Sequence, residues 1–356
     1  MEEFLQYTNP LDIEEKEKEF LKKILENYEF QFKTIEKIRS AYKISTEDKT
    51  YFLKMLGRGY KRAHKSYFLS TALREKGFDN VAHYVFTNNN KYLIKNMKSS
   101  FYITEWIDSN EVDFKNIDDI LDCSRFLAEF HNTAKNLEIP ENIKIRNKHN
   151  KWREIFNTHC ETVRKFEGKI KGKSKSKITG FDLIYENNLH IFKAEAGFAM
   201  QLLDTEEAKR AFEAAERENF ICHDSFYYQN ILRDKTGKLY LVDLESSQLD
   251  CPMSDLGKFI RRIICKHKFK WDFDLCRRII EAYDSVRPIS TDELYPLLAM
   301  LTFPHKFWKF GKKRYIKKKE WTEEDYQNKL KKIITLHKYK VEFVQSFIKF
   351  YNIRLD

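Results

Sequence analysis

A chain of 356 residues with 42% hydrophobic and 15% aromatic residues holds ample material for packed cores, which excludes general disorder, and its length points to two subdomains. The net charge of +11 (65 Lys and Arg against 54 Asp and Glu) suits an anionic partner such as a nucleotide, a nucleic acid or an acidic surface, yet it is spread along the chain as on a solvated lysine-rich surface. Six scattered cysteines show no CxxC pair and no zinc-type spacing, so they read as reduced thiols of a reducing compartment. The acidic opening MEEFLQYTNPLDIEEKEKEF lacks the apolar core of a signal peptide, and no window approaches the ~20 apolar residues of a membrane span. The expectation is a soluble, cytoplasmic protein.

Residues 13 to 29 alternate charge with Ile, Phe and Leu at helical spacing, which predicts an opening amphipathic helix. Two-residue alternation over Phe32–Ile44 and Thr50–Leu56, joined by STEDK, predicts a hairpin that carries Lys54 between Leu53 and Met55. A helix over Tyr60–Lys76 stops at Gly77, a second hairpin spans Val81–Phe86 and Tyr92–Lys95, and FYITEWI at 101–107 reads as a strand. From Asp108 the periods are mostly helical: 118–134, 148–166, about 179–203 and 205–219, the last begun by an N-cap Thr205. Short strands interrupt them at FICH, NILRD and KLYLVDLES, and helices resume from Ser254.

The informative segment is FICHDSFYYQNILRDKTGKLYLVDLESSQLDCPMSDLGKFIRR. A buried strand delivers His223 and Asp224 into a loop, Asn230 follows, and the next hairpin strand ends on Asp243. Asn230 and Asp243 flank one hairpin, and neighbouring oxygen ligands suit Mg²⁺, which keeps several waters and takes its remaining ligands from substrate phosphates. The stretch Lys306–Lys319 carries eight Lys or Arg and no acid, interleaved with Phe307, Trp308, Phe310 and Tyr315. Such interleaving serves nucleic-acid or glycan binding in some proteins, and in more of them is a solvated helix face with a core-facing aromatic stripe. No recognised nucleic-acid motif accompanies it.

The order His223, Asn230, Asp243 and CPMSDLGKF resembles the aminoglycoside phosphotransferase and choline kinase superfamily, with its H-G-D-x-x-x-x-N loop, I-D-F strand and D-P-x-x-D-L-A segment. The likeness covers residues 31 to about 310. The segments YFLKML, ITEWI, HDSFYYQNIL, SDLGKFIRR and FPHKFW are similar to the CotS-type spore coat proteins within that superfamily. The resemblance implies an α+β, two-lobed protein-kinase-like fold: an N-terminal helix (1–30), an antiparallel-sheet lobe (31–107) and a helical lobe (108–356) with catalytic-loop hairpins at 220–245. It also implies ATP and Mg as cofactors, Lys54 on the α- and β-phosphates, backbone groups of Glu105 and Ile107 at adenine, and Asn230 and Asp243 on the metal. Asp255 then corresponds to the aspartate that braces the catalytic loop, although a helix N-terminal acid stabilising the dipole would look the same.

The departures from that pattern bear on activity. Counting back five from Asn230 lands on Ser225, where active relatives carry the catalytic Asp, and a serine cannot take a proton near neutral pH. Asp224 lies one position early, so it either replaces the base or only orders the loop. The usual mid-helix Glu partner of Lys54 is missing, since only Glu75, near the helix end, is offered, and KIRSAYKI has no glycine to wrap a phosphate. Three readings follow: a spore-coat-associated protein that binds ATP and Mg with degraded catalysis, an active phosphotransferase on a small hydroxylated substrate with Asp224 as base, and a structural coat component that binds other coat proteins.

Overall fold

The computed structural model describes residues 13–57, 59–96 and 99–355, so the acidic opening up to residue 12 lies outside the described residues. In chain order the elements are α1 (Glu15–Leu25), β1 (Thr34–Ile38), β2 (Ala41–Ser45), β3 (Thr50–Leu56), α2 (Tyr60–Glu75), β4 (Tyr84–Val85), β5 (Ile94–Lys95), β6 (Ser100–Glu105) and β7 (Ser109–Glu111). The helices α3 (Ile117–Ala134), α4 (Trp152–Lys171), α5 (Gly180–Asn187), α6 (Leu189–Asp204) and α7 (Glu206–Arg217) follow. Then come β8 (Ile221–Cys222), β9 (Ile231–Asp234), β10 (Leu239–Leu241), β11 (Gln248–Leu249), α8 (Met253–Ile264), α9 (Phe273–Asp284), α10 (Leu294–Thr302), α11 (His305–Tyr315), α12 (Glu323–Thr335) and α13 (His337–Tyr351).

These elements form two compact units of an α+β fold. The first takes in the described residues up to Val112 together with 137–145 and 227–247; the second takes in 113–136, 146–226 and 248 onward. The hairpin β9–β10 thus groups with the N-terminal sheet, because β9 ladders onto β7 as well as onto β10. The division expected from the sequence ran straight along the chain at 107/108 and kept this hairpin with the helices.

In the first unit the sheet runs β1-β2-β3-β6-β4, with β5 also on β6. Its strand alternation sorts residues by face. Ile44, Leu53, Phe101 and Ile103 are buried against Leu21, Ile24, Leu25 and Tyr28 of and just after α1. The opposite face carries Lys54 directly across from Tyr102. Met55, on the same face of β3 as Leu53, is 40% exposed.

Two sequence expectations change here. The stretch 32–44 is two strands rather than one, because Arg39 takes a left-handed φ of 54° and reverses the chain into a tight hairpin. The proposed hairpin of 81–95 is not a ladder: β4 pairs with Ile103 and Thr104 while β5 pairs with Ser100 and Phe101, so both spend their hydrogen bonds on β6. Gly77 ends α2 as expected, at φ 87°, with the Phe78 N–H donating back to the Leu73 carbonyl.

In the second unit the predicted long helix 179–203 breaks at Asn188 into α5 and α6. Thr179 and Asp182 form a reciprocal capping box at the start of α5, and Thr205 caps α7 as expected. The basic run is helical as far as Tyr315, with Phe307 and Gly311 turned into the core, where the Phe307 ring stacks on Tyr185 and Phe192. Lys306 and Lys309 are exposed, whereas Lys312 and Lys313 are half-buried and lie over the Trp308 and Phe310 rings. No helix among the described residues is long and apolar enough to cross a membrane.

Candidate functional site

Lys54 is the residue around which the site of the first unit is built. It projects from the face of β3 opposite α1, and its ammonium lies 2.5 Å from Asp243 Oδ1 and 3.1 Å from Glu245 Oε1. Only 15% of its side chain is exposed. Burial by itself would lower its proton affinity, but Glu245 and Asp243 outweigh that and raise it, so the ammonium stays charged.

Asp243 is presented by backbone geometry. It follows β10 at φ 68° and ψ 48°, a left-handed conformation uncommon outside glycine, and a short 3₁₀ turn over Leu244–Ser246 begins immediately after it. Lys65 of α2 fixes that turn by donating to the Ser247 carbonyl at 2.5 Å. Asn230 is buried, ends a single 3₁₀ turn, and its carbonyl accepts from the Val242 N–H at 3.0 Å. The ladder therefore sets Asn230 against the residue that precedes Asp243.

Glu245 was not singled out from the sequence. Its side chain is 4% exposed, it accepts from the Tyr102 hydroxyl, and it shares Lys54 with Asp243. Burial, then its hydrogen bond with Asp243, pushes its carboxyl up to about 7. Lys54 thus meets two acids from one turn instead of a helix glutamate; Glu75 sits on the last turn of α2 and is exposed. The signal was the second acid in VDLES, but the alternation that places strand residues fails in a 3₁₀ turn.

The strand exit carries the remaining two candidates. Glu105 ends β6, gives its N–H to the His83 carbonyl at 2.9 Å and keeps an exposed side chain 3.5 Å from His83 Nδ1. The Ile107 carbonyl accepts from Ser109 Oγ at 3.0 Å as the chain enters β7. The glycine-free β1–β2 turn is held by Arg39, which pairs with Glu111 at 2.7 Å.

Asp224 and Ser225 belong to the second unit. Asp224 takes a left-handed φ of 64°, the conformation for which glycine is the default. Its Oδ1 meets the Lys258 ammonium at 2.5 Å, and Lys258 also donates to Ser254 Oγ at 2.8 Å. Burial would lower the proton affinity of Lys258, but Asp224, Asp255 and Asp250 together raise it.

Asp255 accepts from the His223 N–H at 2.5 Å and the Asp224 N–H at 2.9 Å, so it braces the loop rather than only opening α8. Burial alone would raise its carboxyl, yet His131, Lys258 and His223 hold it at about 2. His131 is fully buried, 2.6 Å from the Tyr283 hydroxyl, and burial lowers its proton affinity, as befits a structural histidine.

Comparison with known proteins agrees with this architecture. Spore coat protein S of Bacillus subtilis (strain 168) is 23% identical over 347 residues, spanning 95% of this chain and 96% of that protein. The crystal structure of an aminoglycoside phosphotransferase from Alicyclobacillus acidocaldarius subsp. acidocaldarius DSM 446 matches with a TM-score of 0.81 at 17% identity, over 98% of this chain and 99% of that one. Spectinomycin phosphotransferase, solved in complex with ADP and spectinomycin, matches with a TM-score of 0.63 at 15% identity, over 96% and 99% of the two chains. At such identities the structures establish the fold. From residue 21 to residue 347 the sequence fits the family model described as Spore coat putative kinase YutH, and the chain belongs to that spore coat, kinase-like family.

Proposed function

We propose that this chain is a coat-associated, kinase-fold protein that holds ATP with Mg²⁺ weakly and has lost most of its phosphoryl-transfer chemistry. The observation that carries the nucleotide half is the Lys54–Asp243 contact of 2.5 Å, which pairs a phosphate-type lysine with a metal-type carboxylate inside one compact unit. The residues fit the group: Asn230 and Asp243 are hard oxygen donors of the kind Mg²⁺ takes, and Lys54 keeps its charge for phosphate oxygens. Backbone groups at Glu105 and Ile107 would face the base. Bound Mg²⁺ would neutralise charge on the phosphates. ADP in the spectinomycin phosphotransferase complex supports a nucleotide as the ligand class.

The catalytic half rests on Asp224. Its left-handed backbone supports reading Ser225 as the residue at the base position, and the Lys258 ammonium already occupies one Asp224 oxygen. Positioning and charge stabilisation survive such a loss, while a general base is worth about 10²–10⁴-fold. The alternative, an active phosphotransferase on a small hydroxylated acceptor of the sugar, choline or homoserine type, requires Asp224 to serve as that base. ATP turnover by the wild type and Asp224→Asn separates them. The proposal expects turnover near background in both; robust turnover that falls about 10²–10⁴-fold in Asp224→Asn would establish the active enzyme instead. A purely structural coat component would show neither turnover nor Mg²⁺-dependent stabilisation by ATP.

A further inference from the structure

In the second unit the end of α8, the length of α11 and the start of α12 meet in a face crowded with cations. Lys306, Lys309 and Lys313 recur at helical spacing along one side of α11. The Lys306 ammonium donates to the Cys265 carbonyl at 3.3 Å, which sets the start of α11 beside the last turn of α8, where Arg261 and Arg262 lie. Lys313 and Lys329 of α12 both lie over the Trp321 ring, 4.7 and 5.1 Å from its centroid, so α12 adds a further cation.

The charges that act on these lysines are of one sign. Partial burial lowers the proton affinity of Lys309, and Lys313, Arg262, Arg261 and Lys317 lower it further. Lys313 is lowered in the same way, by burial and then by Lys319, Lys329 and Lys317. Glu323, on the first turn of α12, is spent on Arg314 at 2.6 Å. Like charges gathered this closely repel one another, and an anion laid across them would reverse that cost.

The aromatic residues decide which polyanion suits the face. Single-stranded nucleic acid takes much of its affinity from bases stacked on open rings. Here Trp308 is stacked with His159 at 3.6 Å and carries Lys312 over its ring at 5.1 Å, while Trp321 carries two ammoniums. A membrane surface asks for an apolar stripe beside the cations, and among the described residues of this face Ile316 alone is a large exposed apolar side chain. What the face offers is ammonium groups, which fit a row of carboxylates.

We infer that this face docks an acidic polypeptide segment, a run of Asp or Glu whose carboxylates lie against Lys306, Lys309, Lys313 and Lys329. The inference goes beyond the nucleotide reading and does not depend on it, since Lys54 and Asp243 belong to the other unit.

The probe is a fluorescein-labelled oligoglutamate of about 12 residues, up to about 40 Å long when extended, titrated with the full chain and followed by anisotropy. Saturable binding is expected at about 20 mM salt and should be lost by about 0.5 M, as screening requires. Lys309→Gln with Lys313→Gln keeps good helix formers at both positions and should weaken binding about tenfold, the scale of two screened ion pairs. Lys22→Gln with Lys23→Gln removes the same charge from two exposed lysines of α1 in the other unit and should leave the affinity nearly unchanged. An oligothymidylate of equal length and phosphatidylglycerol vesicles present the rival anions, and both should bind more weakly than the oligoglutamate. Absence of saturable binding, equal losses in the two double variants, or tighter binding of the oligothymidylate or the vesicles would each overturn the inference.

Discussion

Replacing Glu245 by Gln should change how stability depends on pH more than it changes stability at any one pH. The carboxyl is 4% exposed and sits with Asp243 around a single ammonium, the closer contact being the one between Lys54 and Asp243. Its folded value of about 7, against 4.5 for the ordinary group, means that the folded state keeps a proton which the unfolded chain releases between pH 4.5 and 7. The unfolded state therefore binds fewer protons in that window, and stability falls as pH rises through it. A displacement of that size corresponds to about 3 kcal/mol at full ionisation. Gln keeps an oxygen for the Tyr102 hydroxyl and leaves Asp243 on Lys54, so the variant removes the titration with little loss of packing. Urea unfolding followed by ellipticity at pH 5 and pH 8 measures the effect. The wild type should lose about 2–3 kcal/mol more than Glu245→Gln between the two pH values. Parallel pH dependence in the two proteins would refute the reasoning, because it would mean that Glu245 is already ionised in the folded state at pH 5.

Asp255→Ala removes the acceptor of two backbone N–H groups and one of the carboxylates around buried Lys258, so a loss of about 3–5 kcal/mol is expected at pH 7 in the same unfolding assay. Because the folded Asp255 value is depressed to about 2 from 3.8, its stabilisation is complete above pH 3.8 and lost as pH falls towards 2, and the variant should show a shallower acid limb. Gly311→Ala tests the packing of the basic helix: a Cβ there would lie 2.5 Å from Tyr185 Oη and 2.6 Å from a Phe166 ring carbon. Neither rigid ring can yield cheaply, so thermal unfolding should report a loss of about 1–3 kcal/mol, and an unchanged midpoint would count against that packing.

Much of the architecture was legible because its signals are local. Gly77 marks the end of α2 by its positive φ, Thr205 caps α7 through its own side chain, and the NILRD–KTGK–KLYLV pattern folds into the hairpin it spells. Lys54 was legible for the same reason, since strand alternation places it opposite Leu53. What stayed hidden depends on partners distant in sequence or on breaks in periodicity. Arg39 reverses the chain without a glycine, and β4 and β5 pair with β6 rather than with each other, a choice decided by a strand still to come. Glu245 escaped because a 3₁₀ turn rather than the strand alternation positions it. The pairing of Asp224 with Lys258 spans 34 residues and needs α8 to present Ser254 and Lys258 on one face.

The central claim is that Lys54 and Asp243 form a nucleotide and metal site whose chemistry is impaired, and the thermal shift produced by ATP with and without Mg²⁺ tests it most directly. A ligand at about 10 times its dissociation constant stabilises by about 1.4 kcal/mol, so even millimolar affinity moves the midpoint visibly at about 10 mM nucleotide. The account predicts that ATP raises the midpoint of the wild type, that Mg²⁺ enlarges the rise, and that Asp243→Asn loses the Mg²⁺-dependent part because a ligand charge is gone. An identical midpoint with and without saturating ATP and Mg²⁺, or a full Mg²⁺-dependent shift retained in Asp243→Asn, would contradict it.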